Sequence, residues 1–105
     1  MATNVAQVCS DLIALDTSNY GDGTGPGEAT AAEYVEAFLR GCGLQSERFS
    51  TTSAKRQVVV CRIAGEDPDA DALAIHLHLD VVPAIAADWT VPAFEGTIQD
   101  RKSVV

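Results

Sequence analysis

Two histidines and an aspartate alternate with apolar residues in one stretch of the chain. The stretch runs over 72–82 and contains His76, His78 and Asp80. Successive side chains of a β-strand point to opposite faces, so on a strand these three polar side chains would share one face. Imidazole is the commonest metal-binding side chain, and a carboxylate either binds a metal or orients a neighbouring imidazole. The spacing therefore indicates a metal site, with a pair of hydrogen-bonded histidines as the alternative.

The segments that precede this stretch have the periodicity of helices. Apolar residues at helical spacing predict a first helix over 4–15 and a second that begins near Pro26 or Glu28. Gly41 and Gly43 supply the stop of the second helix. Between the helices, the glycine-rich run 21–27 predicts a loop. The loop lacks the spacing of a dinucleotide or phosphate-binding motif, so we interpret it as a connection.

Short strands are expected to follow the two helices. They are predicted over 44–49, 57–64, 72–82 and 95–99. The β-branched run at 57–64 is typical of a strand buried on both faces. This order predicts an α/β fold, with two helices packed on strands of a mixed sheet. In open α/β sheets, sites form at the carboxyl ends of strands, which is where His78 and Asp80 would lie.

Composition excludes several classes of function. The 105 residues include 7 Lys plus Arg and 15 Asp plus Glu, a formal net charge of −8. Binding of duplex nucleic acid requires clustered basic residues, and an anionic membrane surface also attracts basic rather than acidic proteins. There is no apolar run of about 18 residues, the length of a transmembrane helix. We therefore expect no nucleic-acid partner and no membrane partner.

The cysteines and the first residues indicate the compartment. Cys9, Cys42 and Cys61 are odd in number, far apart and surrounded by apolar residues, which predicts buried free thiols. Residues 1–10 contain no Lys or Arg, whereas a secretory signal begins with positive charge. Both observations favour a cytoplasmic location.

Two parts of the sequence resemble the aminoacylase and carboxypeptidase-type zinc metallopeptidases, a family that includes acetylornithine deacetylase, succinyl-diaminopimelate desuccinylase and dipeptidases. The more specific part resembles the first metal motif of the family, and it comprises His78-Leu79-Asp80-Val81-Val82-Pro83, Asp88-Trp89-Thr90 and Phe94-Glu95-Gly96. The less specific part is similar to the N-terminal helix pair, and it comprises 12–19, 25–28 and 32–35. The resemblance covers residues 5–99, nearly the whole chain.

The resemblance implies the N-terminal part of a three-layer αβα catalytic domain with two zinc ions, or Co²⁺ or Mn²⁺ in their place. It implies that His78 is a ligand of one metal, and that Asp80 is the catalytic carboxylate that polarises the imidazole. His76 occupies a position where the family often has a histidine that is not a ligand. Trp89 and Phe94 are expected to pack the loop over 84–94 rather than to contact substrate.

The implied activity is hydrolysis of amide bonds in small peptides or N-acyl amino acids, by a parent protein that could be a homodimer. Leu77 stands where the family has glycine, and the motifs that supply the other metal ligands and the general base are absent from this sequence. We therefore expect the chain by itself to be inactive. The alternatives are a small non-catalytic α/β binding domain and a truncated, inactive paralogue.

The last six residues break the family pattern. Asp100-Arg101-Lys102-Ser103-Val104-Val105 resembles the translation of a common sequencing-library adapter. We therefore expect residues 1–99 to be an N-terminal fragment of a metallohydrolase domain, and residues 100–105 to be a non-native tail.

Overall fold

The computed structural model describes residues 3–100 and 102–103, so Arg101, Val104 and Val105 of the expected tail lie outside the described residues. The chain forms two compact units. One comprises the residues up to Gly27 together with those from Asp80 onward, and the other comprises Glu28–Leu79. Helices and short antiparallel strands are both present, which confirms a mixed α and β fold.

Helix α1 of the first unit spans Val5–Ile13, two residues shorter at its C-terminal end than the predicted 4–15. It begins there because the Asn4 side chain accepts a hydrogen bond from the Gln7 N–H, which satisfies one of the free donors of the first turn. The Ser10 hydroxyl donates to the Gly96 carbonyl at 2.6 Å, and Gly96 is buried with φ 61°. A Cβ at residue 96 would lie 2.3 Å from the Ser10 carbonyl oxygen, so only glycine allows this approach.

The rest of the first unit has little regular structure. Ala86–Asp88 forms a single 3₁₀ turn within the predicted loop 84–94. Strands β3 (Ile98–Gln99) and β4 (Lys102–Ser103) pair antiparallel. The predicted strand over 95–99 is thus confined to its last two residues. Asp100, in the turn between β3 and β4, has a positive φ of 49°.

Helix α2 of the second unit spans Ala29–Gly41, close to the prediction. Its N-terminus has no side-chain cap. Instead, the backbone N–H groups of Glu28 and Ala29 donate to the Lys55 carbonyl at 2.8 and 3.2 Å. The buried Glu28 carboxylate also accepts the Nε–H of Arg56 at 2.9 Å. The turn that joins the two strands of this unit therefore supplies the cap that the helix sequence lacks.

The C-terminus of α2 confirms the predicted glycine stop. Gly43 has φ 79°, its N–H donates to the Arg40 carbonyl, and the Leu44 N–H donates to the Leu39 carbonyl. This pair of bonds is the Schellman arrangement, which requires a residue in the left-handed region at the position of Gly43.

Strands β1 (Ser46–Ser50) and β2 (Gln57–Cys61) form an antiparallel hairpin with α2 against one face. Arg48 on that face lies 3.5 Å from Glu33 and 3.6 Å from Glu36 of the helix. The opposite face carries Phe49, Val58 and Val60, each close to half exposed. The prediction that 57–64 is buried on both faces is therefore wrong, because only one face of the hairpin has a packing partner in the described residues.

The predicted strand over 72–82 is also wrong. Residues 71–80 have no regular structure, and only Val81 makes a β-bridge. The side chains of Leu73, Ile75 and Leu77 are 87%, 79% and 80% exposed. Alternating apolar residues form a strand only beside a neighbour that accepts and donates their backbone hydrogen bonds. Residues 72–80 have no such neighbouring strand among the described residues.

The buried core of the described chain is small. Its fully buried apolar residues are Ala31 and Ala32 of α2. Val35, Phe38 and Leu39 of the same helix are half-buried, and Cys42 after it is exposed. All three cysteines are free, as predicted, but none is buried. No helix within the described part of the chain combines the length and the apolarity needed to cross a membrane.

The cap of α2 leads to a prediction about the arginines of the second unit. Arg56→Ala should lower the free energy of unfolding by about 1–3 kcal/mol, because it leaves the carboxylate of buried Glu28 without its cationic partner. Arg48→Ala is the matched control. It removes longer, solvent-screened pairs, so its cost should stay below about 1 kcal/mol. Urea unfolding of both variants measures the difference, and equal losses would contradict this account of the cap.

Candidate site around Asp80

The residues singled out from the sequence lie on both sides of the boundary between the two units. His76 and His78 lie near the C-terminal end of the second unit, on irregular chain, and both are exposed. Asp80 is the first residue of the C-terminal segment of the first unit and is half-buried. Because 72–80 is not a strand, the expected alignment of the three side chains on one strand face is not observed.

Asp80 is held by a residue 61 positions earlier in the chain. The Asn19 side-chain amide donates from Nδ2 to Oδ2 of Asp80 at 2.8 Å. The other end of the same amide, Oδ1, accepts the backbone N–H of Gly21 at 2.9 Å. A carboxylate can only accept here and a backbone N–H can only donate, so the two partners determine which way the amide faces.

The backbone beside this side-chain pair is also joined. The Asn19 N–H donates to the Val81 carbonyl at 2.8 Å, and the Val81 N–H donates to the Thr17 carbonyl at 3.2 Å. These bonds form an isolated parallel bridge between Ser18 and Val81. Residues 17–19 and 80–81 together are called the bridge below. It sets the position of the Asp80 backbone as well as that of its side chain.

The loop on the other side of the bridge is packed closely against it. Ser18 is 3% exposed, and both its N–H and its hydroxyl donate to the Asp16 carboxylate, at 2.9 and 2.6 Å. A Cβ added to Gly25 would lie 2.3 Å from the Ser18 carbonyl oxygen. Only glycine therefore allows residue 25 to approach so near to the backbone of residue 18.

One carboxyl group of this loop, that of Asp22, has a shifted pKa. The Thr24 hydroxyl donates to the Asp22 carboxylate at 2.7 Å and the Thr24 N–H donates to it at 3.0 Å. These bonds, the hydroxyl first, lower the pKa of the Asp22 carboxyl below the usual value of an aspartate, because they stabilise the charged form. Asp22 is exposed, so this effect organises the loop and does not define a buried charge site.

A metal requires several donors in one place. Among residues 3–100, no group of three or more His, Cys, Asp or Glu side chains is placed to hold a metal ion. The described residues therefore do not fit a two-metal centre by themselves, since two ions about 3.5–4 Å apart need several protein ligands between them. His78 and Asp80 would be part of such a centre only together with ligands from elsewhere.

Sequence reasoning missed the role of Asn19. Residues 12–19 drew attention only through their resemblance to a helix pair. A local signal was available, since Asp16-Thr17-Ser18-Asn19 places four hydrogen-bonding side chains directly after a helix, a pattern typical of side chain–backbone turns. The contact with Asp80 had no local signal. Trp89 and Phe94 are half-buried in the first unit.

The chain matches no protein-family model, no curated protein and no solved structure.

The Asp22 turn provides a test of the loop geometry. Thr24→Val removes the hydroxyl donor, so the pKa of the Asp22 carboxyl should rise toward the usual value. A lowered pKa in the folded state contributes stability above the unfolded-state pKa and loses it as pH falls through the folded-state value. The variant should therefore lose less folding stability than the wild type as the pH falls through this range. An NMR pH titration of the side-chain carboxyl measures the shift. Thr30→Val, on exposed helix surface, should leave the Asp22 pKa unchanged.

Proposed function

We propose that this chain is the N-terminal part of the catalytic domain of a cytoplasmic, zinc-dependent amidohydrolase that acts on small peptides or N-acyl amino acids. In this proposal His78 is a metal ligand and Asp80 is the carboxylate that holds the imidazole in position. Because the described residues do not fit a complete metal centre, the other ligands and the general base come from residues outside this chain.

One structural observation carries the proposal. The resemblance rests on separate segments of the sequence, and two of them meet in the first unit. Residues 17–19 of one segment are hydrogen-bonded to residues 80–81 of the other. Ser10 of α1, which lies outside the resembling segments, donates to Gly96 at the end of the motif. Segments that belong to one site are expected to meet in space, whereas unrelated likenesses along a chain have no reason to do so.

The exposed apolar surface supports the same proposal. The face of the β1–β2 hairpin opposite α2 carries Phe49, Val58 and Val60, and Leu73, Ile75 and Leu77 are exposed as well. Exposed apolar residues in such numbers indicate places where another element packs. A larger domain would supply that element. Three free cysteines suit the reducing compartment that the proposal assigns.

The experiment that tests the proposal begins at the gene. Sequencing the locus beyond the codon for Gln99 should reveal an in-frame Gly-Arg-Gly-x-x-Asp motif in place of residues 100–105. The protein encoded by that reading frame should hydrolyse N-acyl amino acids or dipeptides in the presence of zinc, and the 105-residue chain should not. A stop codon at this position in independent reads would instead favour the truncated paralogue, and activity of the 105-residue chain would refute the incomplete-site account.

Variants of the recovered enzyme should separate the roles of the three polar residues. His78→Ala should abolish turnover and lower the zinc content, because it removes a direct bond to the metal. Asp80→Asn should retain much of the zinc and lose about 10–100-fold in rate, the usual cost of removing a partner that orients a ligand. His76→Ala serves as the control and should be milder than either. Metal content by atomic spectroscopy, read beside kcat, decides. Loss of metal in His76→Ala with retention in His78→Ala would show that the two histidines were assigned the wrong way round.

A further inference from the structure

Asn19 is placed to control the direction of the Asp80 carboxylate. Its amide makes two hydrogen bonds in opposite senses, one donated to Oδ2 of Asp80 and one accepted from the Gly21 N–H. An amide bonded at both ends cannot rotate about its terminal torsion without breaking one of them. The donor that it presents to Asp80 is therefore fixed in direction, and a bond to an ionised acceptor is among the stronger side-chain hydrogen bonds.

The backbone of the bridge removes the remaining freedom. Asn19 is bonded through its own N–H to Val81, and Val81 is bonded back to Thr17, so the Cα atoms that carry the two side chains are tied together. Ser18 between them is buried and anchored to Asp16 at 2.6 and 2.9 Å. Gly25 lies against the Ser18 carbonyl with no room for a side chain. The half-buried Asp80 carboxylate is thus held from this loop both by a side-chain hydrogen bond and through the backbone of the bridge.

We infer that Asn19 is the positioning residue of Asp80, and that the loop over 16–25 serves to hold Asn19 in place. This inference rests on the proposed function, because orientation of Asp80 affects a rate only if Asp80 acts in catalysis. In this inference the effect of Asn19 on the reaction passes through the Asp80 carboxylate that it contacts.

The hydrogen bond can be observed in the 105-residue chain without any assay of activity. The sequence contains only two asparagines, Asn4 and Asn19, so selective ¹⁵N labelling of asparagine gives two side-chain NH₂ signals. Asp80→Ala should shift the Asn19 signals and speed their exchange with water, while the Asn4 signals stay in place. Gly25→Ala should do the same by displacing Ser18, and Gly65→Ala, where nothing lies within 4 Å, is the control. If the chemical shifts and exchange rates of the Asn19 signals do not change in Asp80→Ala, the inference is overturned.

The effect on the reaction is measured in the enzyme encoded by the complete reading frame. Asn19→Ala should lower kcat about 10–100-fold with KM changed less than about threefold, since orientation of Asp80 matters in the reaction and not in substrate binding. The loss should not add to that of Asp80→Asn, because the two residues act as one unit. A kcat that stays at the wild-type level, or losses that add in the double variant, would refute the positioning role.

A reciprocal exchange separates positioning from simple stabilisation. The double variant Asn19→Asp, Asp80→Asn reverses the donor and the acceptor and so preserves a hydrogen bond at this place. Its melting temperature should recover relative to Asn19→Asp alone, while kcat stays as low as in Asp80→Asn. If the double variant recovers kcat as well as stability, the pair is purely structural and the positioning role is refuted. If the complete enzyme proves inactive on all amide substrates while the NMR link is intact, the proposed function fails and takes the positioning role with it.

Discussion

Three hydrogen bonds join residues 17–19 to residues 80–81, and the first unit depends on them. Asn19 and Asp80 are 61 positions apart, so the bridge closes a long loop. Closing a loop costs chain entropy, but most of the intervening chain belongs to the compact second unit, so only a short part of it is a free loop. Each hydrogen bond of the bridge contributes about 1 kcal/mol net against that cost. The bond between Ser10 and Gly96 is a second link between the N-terminal and C-terminal segments of this unit.

The second unit depends on the contact between its helix and its hairpin. Its helix lacks a side chain that could cap the N-terminus, and the turn between β1 and β2 provides the Lys55 carbonyl and the Arg56 guanidinium instead. The helix and the hairpin therefore stabilise one another. The packing between them is shallow, since the only fully buried apolar side chains in the described part of the chain are alanines. One face of the hairpin and the run from Leu73 to Leu77 are left without cover.

The two halves of the predicted motif differ in their contacts and in their exposure. Asp80 and Val81 are ordered by partners in the N-terminal loop, whereas His76 and His78 precede that contact and lie on exposed chain. A site that needs both an imidazole and a carboxylate has a positioned carboxylate here.

The sequence by itself determined the local structure of this protein. The helical spacing of apolar residues and the glycines at the end of α2 act within a few positions, so helix α2 and strands β1 and β2 appear close to where they were predicted. Only the tertiary structure decided which segments have partners. The alternating pattern of 72–82 specifies two faces but cannot supply the neighbour that a strand requires. The choice of Asn19 as the partner of Asp80 spans 61 positions and leaves no periodic trace in the sequence, because it depends on how a distant loop folds back.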